Sequence, residues 1–160
     1  MSNKEPLRQA ILDALNLDLT TAMKAADTAK DTATSKESVA ENKYDTFGLE
    51  ASYLAHGQSQ RALELQQSIH RFQHLAFKDF TDDNVIDLTC LVTLLDDDTE
   101  KLFFMGPVGG GLKVEWMGRE VTVITPETPL GHQLMGKTID DTVELLLNRK
   151  KTLYEIVDIF

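Results

Sequence analysis

His70 and His74 stand one helical turn apart, a spacing at which two imidazoles can share a metal ion. No third ligand is evident, and Arg71 occupies the position where a zinc protease of this spacing needs its glutamate. A place on a helix surface or in packing is the better reading of that pair. Asp96-Asp97-Asp98 offers hard oxygen donors but lacks the glycine and the closing glutamate of a calcium loop, and reads as a solvated turn. Gly109-Gly110-Gly111 is not followed by Lys-Ser/Thr, which argues against a phosphate loop. Cys90 is the single cysteine, sits in an apolar run, and excludes an internal disulfide; a reducing cytosol is the simplest compartment. The carboxylates of Glu37, Glu41 and Asp45 cluster with Asn42, and Ser38 with Glu41 has the spacing of a capping box. By residue type alone they are a helix start and a few solvated charges.

The elements around that cluster give it a place. On one side, apolar residues step by three and four through Leu12, Leu15, Leu19, Ala22, Ala26, Ala29 and Ala33. On the other they run Tyr44, Phe47, Ala51, Leu54, Gln58, Ala62, Leu65, Ile69, Phe72 and Ala76. This is the heptad pattern of two helices packed along a seam. Folding the chain at Ser38 sets Ala33 against Tyr44, Ala29 against Phe47, Ala22 against Leu54 and Leu15 against Ala62. Large side chains then meet small ones. The expectation is an antiparallel coiled-coil hairpin over residues 1–78, with its tip near 34–42. The second helix would start at Ser38 and persist to Ala76, in a rod roughly 40 Å long at about 1.5 Å per residue. Gly48 and Gly57 would mark a bend or a point of close approach.

After an acidic junction, Phe77 to Asn84, the period changes. Strands are expected over Val85–Leu95, Lys101–Met105, Leu112–Trp116, Glu120–Ile124, Thr142–Leu147 and Thr152–Ile159, with one short helix, Pro129–Met135, closed by Gly136. Residues 79–160 thus form a small α+β domain, with Leu91, Phe103, Val114, Trp116, Val123, Leu134, Leu146 and Ile156 as its expected core.

The net charge is −10, concentrated in residues 81–160, where 7 basic face 15 acidic side chains. Sequence-specific nucleic-acid binding needs a basic face that neither half offers. A protein with a basic docking surface is the expected partner. No apolar run of about 18 residues is present, so no membrane-spanning helix is expected, and the polar Met1–Glu5 lacks a secretory core.

Thr128-Pro129-Leu130-Gly131-His132-Gln133-Leu134-Met135-Gly136-Lys137, followed by Asp140-Asp141, resembles a signature of the Gre family of bacterial transcription factors (GreA/GreB-like). There a Ser-Pro-Leu-Gly-x-x-Leu-x-Gly-Lys element precedes a Gly-Asp and the last two strands. Gly106-Pro107 also falls where the family has Gly-Pro after its second strand. The resemblance implies a coiled-coil hairpin and an FKBP-like C-terminal domain. It implies a cytoplasmic factor whose globular domain docks on RNA polymerase core and whose hairpin enters the secondary channel. Pro129, Leu130, Gly131, Lys137 and Arg119 are the docking candidates. Arg149, Lys150 and Lys151 are also read as docking charges or as plain surface residues.

In the family, tip carboxylates help hold a metal ion with the polymerase, which then cuts back-tracked RNA. The resemblance therefore implies no catalytic residues in the chain itself and no cofactor bound alone. Mg²⁺ would be shared with the polymerase, using hard oxygen donors. The family tip reads Asp-Leu-Ser-Glu-Asn-x-Glu-Tyr, and this chain keeps Glu41 and Asn42. Ser38 replaces the leading Asp, Ala40 the Ser, and Tyr44 the later Glu, while Glu37 and Asp45 place carboxylates nearby in another geometry. A channel-binding inhibitor without cleavage activity is the alternative within this reading. An FKBP-like peptidyl-prolyl isomerase or a chaperone is the alternative from another class. A monomer is expected, since an intramolecular hairpin satisfies its own seam.

Overall fold

The computed structural model describes residues 3–34 and 47–160, with side chains described for 3–32 and 54–160. Its element order is α1 (Glu5–Thr34), α2 (Phe47–Gln73), β1 (Leu91–Asp96), β2 (Thr99–Met105), β3 (Lys113–Trp116), β4 (Arg119–Ile124), α3 (Pro129–Leu134), β5 (Thr142–Leu147) and β6 (Lys150–Ile159). The α+β class is as expected. The chain divides into two compact units, Leu12–His70 and Met1–Ile11 with Arg71–Phe160.

In the helical unit, Leu12, Leu15, Ala22 and Ala29 are buried on α1, and Leu65 and Ile69 on α2. Leu19 and Ala26 are half-buried on the same stripe. The register differs from the expected one. Met23, Ala26 and Asp27 line one groove with Ser59, Ala62, Leu63 and Gln66, so Ala62 lies beside Ala26 and not beside Leu15. Those two α1 positions are about 16 Å apart along the helix. A repeat of three and four is compatible with several registers, and a fold at Ser38 picks only one of them.

The phase of α2 also slips near its start. Ala55, Gln58 and Ala62 are half-buried ahead of Leu65, while Leu54, expected on the seam, is 56% exposed. Steps of three and of four back from Gln58 are both allowed in a heptad, and the small residue takes the seam. Gly57 is no point of close approach, because a Cβ there would meet nothing within 4 Å. The helix stops at Gln73, and Ala76, expected to extend the seam, is exposed. Ala33, Tyr44, Phe47 and Ala51, the Ser38 helix start and Gly48 lie outside the residues with described side chains.

The β-rich unit holds one sheet in the order β3-β4-β2-β1-β6-β5. Strands β2 and β4 run parallel, and the other neighbouring pairs are antiparallel. One face carries Val92, Leu94, Met105, Val143, Leu145 and Ile156 against Leu130 and Leu134 of α3. The opposite face packs on the chain around the sheet. Phe77 stacks on Phe104 at 5.1 Å, and a Cβ at Gly106 would lie 3.1 Å from the ring of Phe72. Leu7 and Ile11, at the start of α1, are fully buried.

Two expectations fail here for definite reasons. Residues 85–90 are not strand: Ile86 bonds to the α3 loop, donating to Lys137 O (2.8 Å) and accepting from Gly136 N (2.9 Å). Thr89 then turns the chain with a left-handed φ of 74° before β1 begins. Leu146, expected in the core, is 63% exposed because Val143 and Leu145 take the inward positions of β5. A strand alternates strictly, so one leucine of a Leu-Leu-Leu run must face out.

Candidate functional site

The element Thr128–Lys137 is built from its cap outward. Thr128 is the N-cap of α3, and its hydroxyl accepts from Gly131 N (3.2 Å) while donating to Thr125 O (2.7 Å). Pro129 follows at the first helical position, where no amide hydrogen is required. Leu130 and Leu134 point into the core, four residues apart on one helix face. Gly131 is there because nothing larger fits: a Cβ would sit 1.9 Å from Thr125 O. Gly136, with φ 80°, ends the turn. What this element shows to the outside is Pro129, His132, Gln133 and Lys137, all exposed.

Lys137 leads into a second local device. Asp141 accepts from the Thr138 amide (2.9 Å) and hydroxyl (3.2 Å). The amide bond, more than the hydroxyl and the nearby Lys137, holds its carboxyl below the usual value, against a smaller opposing effect of desolvation.

Arg119 stands apart from this element. It opens β4 from the turn Met117-Gly118, pairs with Glu100 at 3.3 Å, and lies roughly 17 Å along the strand from Ile124. Of the expected docking residues, Pro129 and Lys137 are each exposed, Leu130 and Gly131 are buried in α3, and Arg119 stands at the start of β4, away from the end that leads to this element. The tip residues Glu37, Glu41, Asn42 and Asp45 lie outside the described residues.

Sequence reading missed two cations that organise the unit. Lys4 is buried and donates to Lys78 O (2.6 Å) and Thr89 O (2.8 Å), with its ammonium 5.0 Å from the Phe80 ring centre. Arg8 donates to Phe72 O (2.6 Å), and its guanidinium lies 4.2 Å from the Phe77 ring centre. Both residues look like ordinary helix-surface charges in sequence. The only hint was the aromatic pair Phe77 and Phe80 in a segment read as an acidic junction.

A groove of about 590 Å³ crosses β2, β3 and β4, lined by Glu100, Lys101, Lys113, Arg119 and Glu120 with Leu102, Phe103 and Thr122. Its walls are largely charged, with Phe103 the one ring among them. Phe104, Trp116 and Tyr154 are buried in packing. Among the described residues, no group of three or more His, Cys, Asp or Glu side chains could hold a metal ion. None of the described helices is long and apolar enough to cross a membrane.

Residues 81–160 match the family model described as Transcription elongation factor, GreA/GreB, C-term. No curated protein matches the chain. Among solved structures, Gfh1 (GreA factor homolog 1) of Thermus thermophilus is 18% identical, with 93% of this chain and 94% of that one covered at a TM-score of 0.39. Gfh1 of Thermus aquaticus is also 18% identical, covering 94% and 92% at 0.39. A GreA/GreB elongation factor from Nitrosomonas europaea is 16% identical, covering 69% and 91% at 0.37. At such scores these likenesses bear no weight. The family model, by contrast, takes in the whole sheet, its short helix and the capped Pro-Leu-Gly element, and on that ground the chain belongs to the GreA/GreB family of transcription elongation factors.

Proposed function

We propose that this chain binds bacterial RNA polymerase core in the cytoplasm, anchored by its β-rich unit, and delivers the end of its helical pair into the secondary channel. The observation that carries the reading is the family match over residues 81–160, preceded by helices of 30 and 27 residues. Pro129 and Lys137, on the rigid capped element, are the docking residues of this reading. Glu41, with Asn42 beside it and Glu37 and Asp45 near, is the carboxylate offered to a magnesium ion held jointly with the polymerase. The chain supplies no catalytic centre of its own, acts as a monomer, and makes no sequence-specific contact with nucleic acid.

A second reading rests on the altered tip. Ser38 and Tyr44 stand where the resemblance has acidic residues, which leaves Glu41 without its usual companions. A factor that occupies the channel with an incomplete ligand set blocks the active centre instead of assisting it. A back-tracked, stalled polymerase separates the two: RNA shortening with the wild-type chain and its loss with Glu41→Ala mean assisted cleavage. Suppressed extension without shortening means inhibition. No association with polymerase core rejects both.

A further inference from the structure

Both long helices are rooted in the β-rich unit, which takes in residues 5–11 of α1 and 71–73 of α2. Apolar side chains plug each root into place. Leu7 and Ile11, one turn apart on α1, are fully buried, and so is Phe72 near the end of α2. Arg8 joins the two roots as a fork. Its Nε and Nη2 donate to the Glu5 carboxylate at 3.0 and 3.1 Å, and its Nη1 donates to Phe72 O at 2.6 Å. Phe72 O is among the last carbonyls of α2, which have no partner inside their own helix. A cation of the first helix thus caps the second. The guanidinium lies 4.2 Å from the Phe77 ring centre, and Phe77 stacks on Phe104 of β2 at 5.1 Å. The Arg8 side chain is only 16% exposed, against 63% for Glu5.

We infer that Arg8 is a positioning residue of the delivery proposed above: it fixes the roots of both helices to each other and to Phe77, and so sets the aim of the pair. The inference rests on that reading and adds a residue that acts through the roots, not at the tip or the Pro129–Lys137 element. Helix α1 runs unbroken from Arg8 to Thr34, about 39 Å at about 1.5 Å per residue, so a tilt of about 3° at the root displaces that end by about 2 Å. A misplacement of about 1 Å can slow a reaction about a hundredfold. Arginine alone combines these contacts. Its rigid planar fork holds a carboxylate and a carbonyl while lying on a ring, whereas a lysine offers one nitrogen and no plane. Lys4, by contrast, holds the carbonyls of Lys78 and Thr89, neither of which lies in a helix.

Arg8→Lys and Arg8→Gln, each made in the full chain, keep a donor for Phe72 O and lose the fork. Three quantities are read: affinity for polymerase core, the effect on a back-tracked polymerase at saturating chain, and the melting temperature. Affinity should stay within about twofold of wild type, while the saturating effect, RNA shortening or suppressed extension, falls about tenfold. Glu5→Gln, at an exposed ion pair of little energetic weight, should retain most of the effect. An undiminished effect in both arginine variants overturns the inference. A loss of affinity that matches the loss of effect also overturns it, because Arg8 would then serve docking or folding. Where one variant fails to fold, the other carries the test, and loss of a cooperative melt in both assigns Arg8 to folding and overturns it too. A wild type that binds core without any effect overturns the positioning role and leaves binding standing. Absence of wild-type binding overturns the proposed function as well.

Discussion

The ammonium of Lys4 donates to the carbonyl of Thr89 at 2.8 Å, and Thr89 is itself held in a left-handed backbone at φ 74°. A β-branched residue adopts that conformation only when its surroundings fix it. The hydroxyl of Thr89 accepts from Lys78 N at 2.9 Å, and the carbonyl of Lys78 takes the second bond from Lys4. The residue just ahead of α1 is thereby tied to the entry of β1.

Lys4→Met should cost about 1–3 kcal/mol, since it leaves two carbonyls without their donor. Burial lowers the Lys4 pKa below 10.5, with Cys90 and Asp79 acting the other way. The unfolded chain then holds this proton more tightly, so the Lys4 contribution to stability rises with pH from the depressed value up to 10.5. Urea unfolding of both proteins across alkaline pH reads this directly. A wild-type minus variant difference that does not change with pH would refute it.

Gly131→Ala should destabilise the β-rich unit by about 3 kcal/mol, because the new methyl meets a backbone carbonyl and no flexible side chain can yield. Thermal melting followed by near-UV circular dichroism is the measurement. A variant that melts with the wild type would show that α3 can shift away from Thr125.

Gly57→Ala should do the opposite. The site is open, helical and in the interior of α2, so the substitution should stabilise by about 0.5–1 kcal/mol through helix propensity. A loss of helicity or a lower melting point would mean that the glycine serves a close approach after all.

Cys90 should be inert in the native protein. Burial pushes its thiol from 9.0 up to about 12, with Lys4 and the backbone amides pulling more weakly the other way. Its folded-state pKa lies above the unfolded one, so its contribution is complete below pH 9 and is lost as pH rises towards about 12. Iodoacetamide at pH 8 should label the chain only in urea, and rapid labelling without denaturant would contradict the burial.

The sequence by itself determined the α+β class, the two long helices, most strand positions and the capped Pro-Leu-Gly element, because each is written in local terms: a heptad step, a two-residue period, a Thr cap before proline. Tertiary structure decided the rest. Which helical residue faces which depends on where the chain turns, and a repeat of three and four looks the same in several registers; Ala62 came to lie by Ala26 for that reason. Leu146 and Leu145 are the same side chain one position apart, and only the ladder with β6 says which of them faces water. Lys4 and Arg8 carry charges that any helix surface tolerates. Their role exists only once Lys78, Thr89 and the rings of Phe77 and Phe80 are folded around them.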